Sequence, residues 1–145
     1  MIVLMKMVWS VAAILWLCGC SSFNKEWKAA LKAPIPQNSI EGPWTGEWRS
    51  EKNGHHGALR CVVSKASEKT YRAHYHAVYW KILRFSYAAT LNAEQTNGAV
   101  HLRGEANLGK LAGGVYKYDG SATSAEFRST YSSKYDHGTF DMSRP

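Results

Sequence analysis

The sequence predicts an all-β fold, an eight-stranded antiparallel up-and-down meander barrel, and three observations predict it. From Trp44 onward apolar and polar residues alternate with period two. The pattern is clearest in Tyr71, Ala73, Tyr75 and Ala77 against Arg72, His74 and His76. It recurs in Leu83, Phe85, Tyr87, Ala89 and Leu91 against Arg84, Ser86, Ala88 and Thr90. Turn-forming dipeptides break the alternation at spacings of roughly a dozen residues. No stretch of helical period separates the strands, and connections that short make sequence neighbours sheet neighbours. An eight-stranded meander hides its edges by closing on itself, and its interior then admits side chains or one small ligand.

Taken in order, the first strand is Trp44-Thr45-Gly46-Glu47-Trp48. Leu59 to Val63, Tyr71 to Ala77 and Leu83 to Leu91 follow. The set is completed by Val100 to Gly104, Val115 to Tyr118, Ala125 to Tyr131 and Thr139 to Met142. Asn53-Gly54, Asn97-Gly98, Gly113-Gly114, Asp119-Gly120 and His137-Gly138 supply turns. The Trp80-Lys81 junction has no turn former, so it reads as an irregular loop or a bend in one strand. Upstream, Phe23, Trp27, Ala30 and Leu31 fall at i, i+4, i+7 and i+8, which predicts a short helix over 24–32. Pro34 and Pro36 stop it. It is shorter than the ~12 residues that stand alone in water. A tether, or a plug over one barrel end, is therefore expected ahead of a helix lying on a membrane through Lys25, Lys28 and Lys32.

Before the helix, Val8 to Leu17 form an apolar run with only Lys6 charged ahead of it. That has the size of a signal-peptide core and falls short of the ~20 residues of a membrane-spanning helix. The run ends in Leu17-Cys18-Gly19-Cys20, which resembles the bacterial lipobox. The resemblance implies a lipoprotein signal peptide over 1–19 and an acylated Cys20. It also implies a lipid-anchored tether over 20–43 and a barrel domain over 44–145. Ser21 rather than Asp follows the cysteine, which in that group implies an outer-membrane address facing the periplasm. Two or three acyl chains, at about 0.8 kcal/mol per buried CH₂, hold a small domain firmly.

Composition agrees with one folded domain. Aromatic residues make up 12% of the chain, too many for a disordered tail. The formal charge is +7, but the basic residues are spread through the sequence without a dense run. That favours solubility, with anionic lipid or envelope polymer as neighbours and no nucleic-acid partner. Outside the tetrad, Cys61 stands alone, so no disulfide is expected and its apolar neighbours predict burial.

Gly46-Glu47-Trp48 resembles the Gly-x-Trp of the lipocalin and calycin group. In that group the tryptophan closes one barrel end beneath a basic residue, so the resemblance implies that Trp48 and Arg144 form the closing pair. The wider pattern runs from Gly54-His55-His56-Gly57 through Tyr131-Ser132-Ser133 to Gly138-Thr139-Phe140-Asp141-Met142-Ser143-Arg144. It is similar to a bacterial lipoprotein family that carries no assigned activity.

The chemistry-bearing residues are sparse. His74 and His76 share one strand face, alternate with inward tyrosines and so face solvent, without the third ligand a zinc site needs. No nucleophile elbow, paired carboxylates or phosphate-cradling loop is present, and Glu47, Glu105, Glu126 and Asp141 mostly point outward. No enzyme, metal or cofactor is expected. The informative feature is the inward row of Tyr71, Tyr75, Phe85, Tyr87, Phe127 and Tyr131, interleaved with alanines. Two readings follow. Either the row lines a cavity for a small apolar or amphipathic ligand, or it fills the barrel. A filled barrel would bind a protein or envelope polymer through an outer face of Arg72, His74, His76, Trp80 and Arg84.

Overall fold

A computed structural model describes residues 22–145. The apolar run, the lipobox-like tetrad and Cys20 lie outside the described residues. Eight antiparallel strands succeed one another around a closed barrel. They are β1 (Gly42–Ser50), β2 (His56–Ser67), β3 (Thr70–Tyr79), β4 (Leu83–Thr96), β5 (Ala99–Asn107), β6 (Val115–Ala122), β7 (Glu126–Ser132) and β8 (His137–Ser143). The ring shuts where β8 returns to β1, from Thr45 opposite Ser143 to Ser50 opposite Gly138. This is the all-β meander expected, consistent with a calycin-like barrel, and β1 begins two residues earlier than the alternation marked.

Closure divides each strand between a dry side and a wet side. Leu59, Cys61, Val63, Ala73, Tyr75, Ala77, Leu91, Leu102 and Phe127 are buried in one continuous core. Arg103, Glu105, Lys117, Asp119, Arg128 and Asp141 project outward and are exposed. A charged outside around an apolar inside is the reverse of a membrane-spanning barrel. Among the described residues no helix is long and apolar enough to cross a membrane.

Two of the expected turns are strand interior. Asp119-Gly120 lies in β6 and His137-Gly138 in β8, while the connections run through residues 123–125 and 133–136. Here glycine serves close approach between strands. A Cβ on Gly138 would overlap the Arg49 carbonyl of β1, and one on Gly120 would crowd Ser129 of β7. At Trp80-Lys81 the chain makes a true reversal, with φ of 49° and 65° at those two residues.

The short helix expected ahead of β1 is present, but it is docked on the barrel wall instead of hanging free or plugging one end. Residues 22–32 form helix α1, which lies across the outer wall of β2 and β3. Phe23 is fully buried, stacked on His76 with centroids 4.8 Å apart and edge-on to His74 at 5.1 Å. Arg60 caps both Phe23 and Trp27 at 5.2 Å. Glu26 accepts from Arg72 at 3.0 Å and meets His74 Nδ1 at 2.5 Å. Burying Phe23 in this way contributes about 2–3 kcal/mol, which explains how so short a helix is held.

Candidate functional site

The barrel has one closed and one open end. At the closed end Trp44 is fully buried and donates its indole N–H to the Ile40 carbonyl at 2.9 Å. The Arg144 guanidinium lies 3.9 Å above the Trp44 ring. Its three nitrogens donate to the carbonyls of Ser124 (3.0 Å), Pro43 (3.1 Å) and Ser39 (2.9 Å). A planar fork with a π face beneath it and carbonyls around it is held on every side. The indole beneath Arg144 is thus Trp44 and not Trp48. The sequence carries two Gly-x-Trp tripeptides four residues apart, Gly42-Pro43-Trp44 and Gly46-Glu47-Trp48. Four residues of strand span ~13 Å, enough to move from one end of a small barrel toward the other.

Trp48 belongs to the open end. It donates to the Val78 carbonyl at 3.0 Å and packs on Tyr79 with centroids 4.4 Å apart. Beside it opens a cavity of ≈ 780 Å³, walled by Trp48, Tyr79, Phe85, Tyr87, Tyr116, Tyr131 and Phe140. The connections after β3 and β5 form its rim, with Leu83, Arg84, Leu108, Lys110 and Leu111. Its volume falls within the ~300–1,000 Å³ usual for small-molecule sites.

The six aromatic residues of the inward row separate by depth. Phe85, Tyr87 and Tyr131 line the cavity. Tyr75 forms part of the packed floor, 5.4 Å from Tyr87, 5.7 Å from Tyr118 and 5.2 Å from Phe140 by ring centroids. Phe127 sits at the closed end, edge-on to Trp44 at 5.7 Å. Tyr71 is half-buried against the core at that same end, opposite Lys65 and Leu91. The lower barrel is therefore filled and the upper barrel is open. Tyr79, Tyr116 and Phe140 escaped the sequence reading, although Tyr116 and Phe140 sit at the right parity beside Tyr118 and Met142.

Polar groups within the cavity are few and oriented. Tyr118 donates to the Tyr87 hydroxyl at 2.9 Å, and Tyr87, on the cavity wall, keeps its own O–H to donate. Tyr131 donates to Asp136 at 3.1 Å, and Ser50 donates to the other Asp136 oxygen at 2.6 Å. Burial pushes Tyr79 up to about 12 and drives Tyr87, Tyr118 and Tyr131 above the ordinary phenol range. These phenols stay protonated at neutral pH and act as hydrogen-bond donors, not as bases. The Tyr75 hydroxyl is fully buried and has no hydrogen-bond partner among the described residues.

The outward histidines are not solvent-facing, because α1 covers them. Arg72, His74 and His76 are engaged by Glu26 and Phe23, so the outer face considered for a partner is largely taken by the chain itself. His76 bonds Ser86 at 2.6 Å. Burial and the cations Arg60 and Arg84 lower its pKa to about 4, so it is neutral at pH 7. Cys61 is buried, and burial pushes its thiol well up, far from a reactive thiolate. Glu47, Glu105, Glu126 and Asp141 are all exposed on the wall. Among the described residues no three His, Cys, Asp or Glu side chains gather as a metal site.

No protein-family model, curated protein or solved structure matches this chain. The reading of the site rests on its own geometry.

Proposed function

We propose that this protein is a non-catalytic binding barrel of the bacterial envelope that takes one small amphipathic molecule into its open end. The observation that carries the reading is the aromatic cavity of ≈ 780 Å³ above a packed floor. Its walls are apolar, the Tyr87 phenol offers one inward donor, and Arg84 and Lys110 stand on the rim. An apolar body would enter the aromatic walls, and an anionic or strongly polar head would meet the two cations. The filled-barrel reading is less favoured, since the floor alone is filled and α1 occupies much of the outer face.

The address belongs to the same proposal. The tetrad Leu17-Cys18-Gly19-Cys20 supports lipid attachment at Cys20, and a lipid-anchored barrel facing the periplasm would meet membrane-derived amphipaths. Cys20→Ser should shift the full-length protein from the detergent to the aqueous phase; unchanged partitioning overturns the anchor. For the cavity, full-length protein is titrated with parinaric acid, a fluorescent fatty acid. Saturable binding that Phe85→Glu weakens about tenfold or more is expected, since a buried carboxylate replaces apolar wall. Absence of saturable binding, or an unaffected variant, overturns it.

A further inference from the structure

Nine large apolar side chains are exposed among the described residues, and seven of them lie on the open-end loops or the strand ends feeding them. Chance scatter would spread them over the whole surface. Trp80 is 69% exposed, Ile82 79%, and Leu111 fully so. They occupy two separate tips on either side of the cavity mouth, residues 80–82 and the 3-10 turn Lys110–Ala112.

The first tip holds its side chains outward at a cost. Trp80 and Lys81 both have left-handed backbone, with Ile82 N–H donating to the Tyr79 carbonyl at 3.2 Å. A hairpin turn of this kind is normally built from Asn-Gly. A tryptophan and a lysine there accept strain that smaller residues avoid.

Charge points the same way. Lys81, Arg84 and Lys110 flank the two tips, with Lys52 and Lys134 further around the rim. Against these five cations stand two carboxylates, Glu51 and Asp136, and Asp136 is held by Ser50 and Tyr131. Apolar tips ringed by lysine and arginine are the chemistry of an anionic lipid surface, where rings seat at headgroup level and each cation finds phosphate.

Chain direction adds a third, independent argument. Along α1, Phe23 packs beside His76 and Glu26 beside Arg72. His76 is the nearer of the two to Tyr79, so the start of the described chain faces the open end.

We propose that the open end docks face-on to an anionic bilayer, with Trp80, Ile82, Leu83 and Leu111 seated among the headgroups and Lys81, Arg84 and Lys110 paired with lipid phosphates. The docked barrel presents its cavity directly to the membrane. The proposal does not require the cavity to be occupied, and the two readings fail separately.

Hydrogen exchange read by mass spectrometry tests it on the full-length chain with vesicles of mixed phosphatidylcholine and phosphatidylglycerol. Exchange at residues 79–84 and 109–115 should slow on vesicle binding, while the wall around Thr90 and Lys117 is unchanged. Lys81→Glu, or Trp80→Ser with Ile82→Ser, should abolish the slowing while leaving parinaric acid binding intact, because none of these three residues lines the cavity. Vesicle-bound protein whose tips exchange as in solution overturns the proposal. So does equal slowing on pure phosphatidylcholine, since the cations then play no part. Slowing that grows with protein concentration without vesicles also overturns it, by making the rim a surface for a second copy.

Discussion

Two tryptophans on one strand, each introduced by Gly-x, stand at opposite ends of this barrel and have different surroundings. Trp44 is roofed by a guanidinium that ties down three carbonyls, and nothing of it reaches water. Trp48 has one hydrogen bond, to Val78, leans on Tyr79 and borders a cavity of ≈ 780 Å³. The tripeptide places an indole on the inner face. What stacks on that indole decides whether the end is shut.

The contrast can be broken in order of size. Trp44→Ala removes the largest buried ring of the closed end and should cost about 3–5 kcal/mol, whereas Trp48→Ala enlarges an existing cavity and should cost about half as much. Denaturant unfolding of both variants measures the gap, and equal losses would mean that the ends do not differ. Next, Arg144→Met keeps the aliphatic stem and loses the fork, so about 2–3 kcal/mol should go with the stacking and the three carbonyl bonds. Arg144→Lys should restore little of this, since an ammonium cannot serve three carbonyls in one plane.

A third perturbation acts on neither end and should leave the contrast intact. Unfolded, His76 takes a proton near its ordinary pKa of 6.5; folded beneath α1 it does so only near about 4. Between those values the unfolded chain holds the extra proton. Stability is therefore complete above about pH 6.5 and declines as pH falls toward 4, on the order of 1–2 kcal/mol by pH 5. His76→Gln should flatten that slope in thermal melts between pH 7 and 5, and an unchanged slope would assign it to other groups. The smallest effect lies at the cavity floor. Tyr75→Phe deletes a buried hydroxyl without a partner and should be neutral or stabilising by up to about 1 kcal/mol, while Tyr118→Phe gives up its bond to Tyr87 and should cost a similar amount.

The strands were legible because alternation is local. Each inward Tyr, Phe and Leu of β3 and β4 follows from its neighbours two residues away. The closing pair was not, since choosing Trp44 over Trp48 requires the register of β8 against β1, a pairing across about a hundred residues. Asp119-Gly120 and His137-Gly138 misled for a related reason. A glycine needed for close strand approach and one needed for a turn look alike in sequence.

The position of α1 left a signal that went unused. Cys61-Val62-Val63 is apolar on both faces, and Ala73 to Ala77 are buried without interruption. A strand with no wet side is covered twice, here by the core within and by Phe23 without. The cavity was legible in its ingredients but not in its extent. Parity shows which rings point inward, whereas the depth at which packing stops depends on how all eight strands fill one volume.

The seam between β8 and β1 bears on how the molecule is made. A chain that emerges from the ribosome or through a translocation pore with its amino end leading exposes one margin of β1, from Thr45 to Ser50, until residues 138–143 follow. Throughout that interval the polypeptide is an open ribbon with an unsaturated border. Closure thus waits on the last strand made, and both free margins vanish together when β8 pairs with β1.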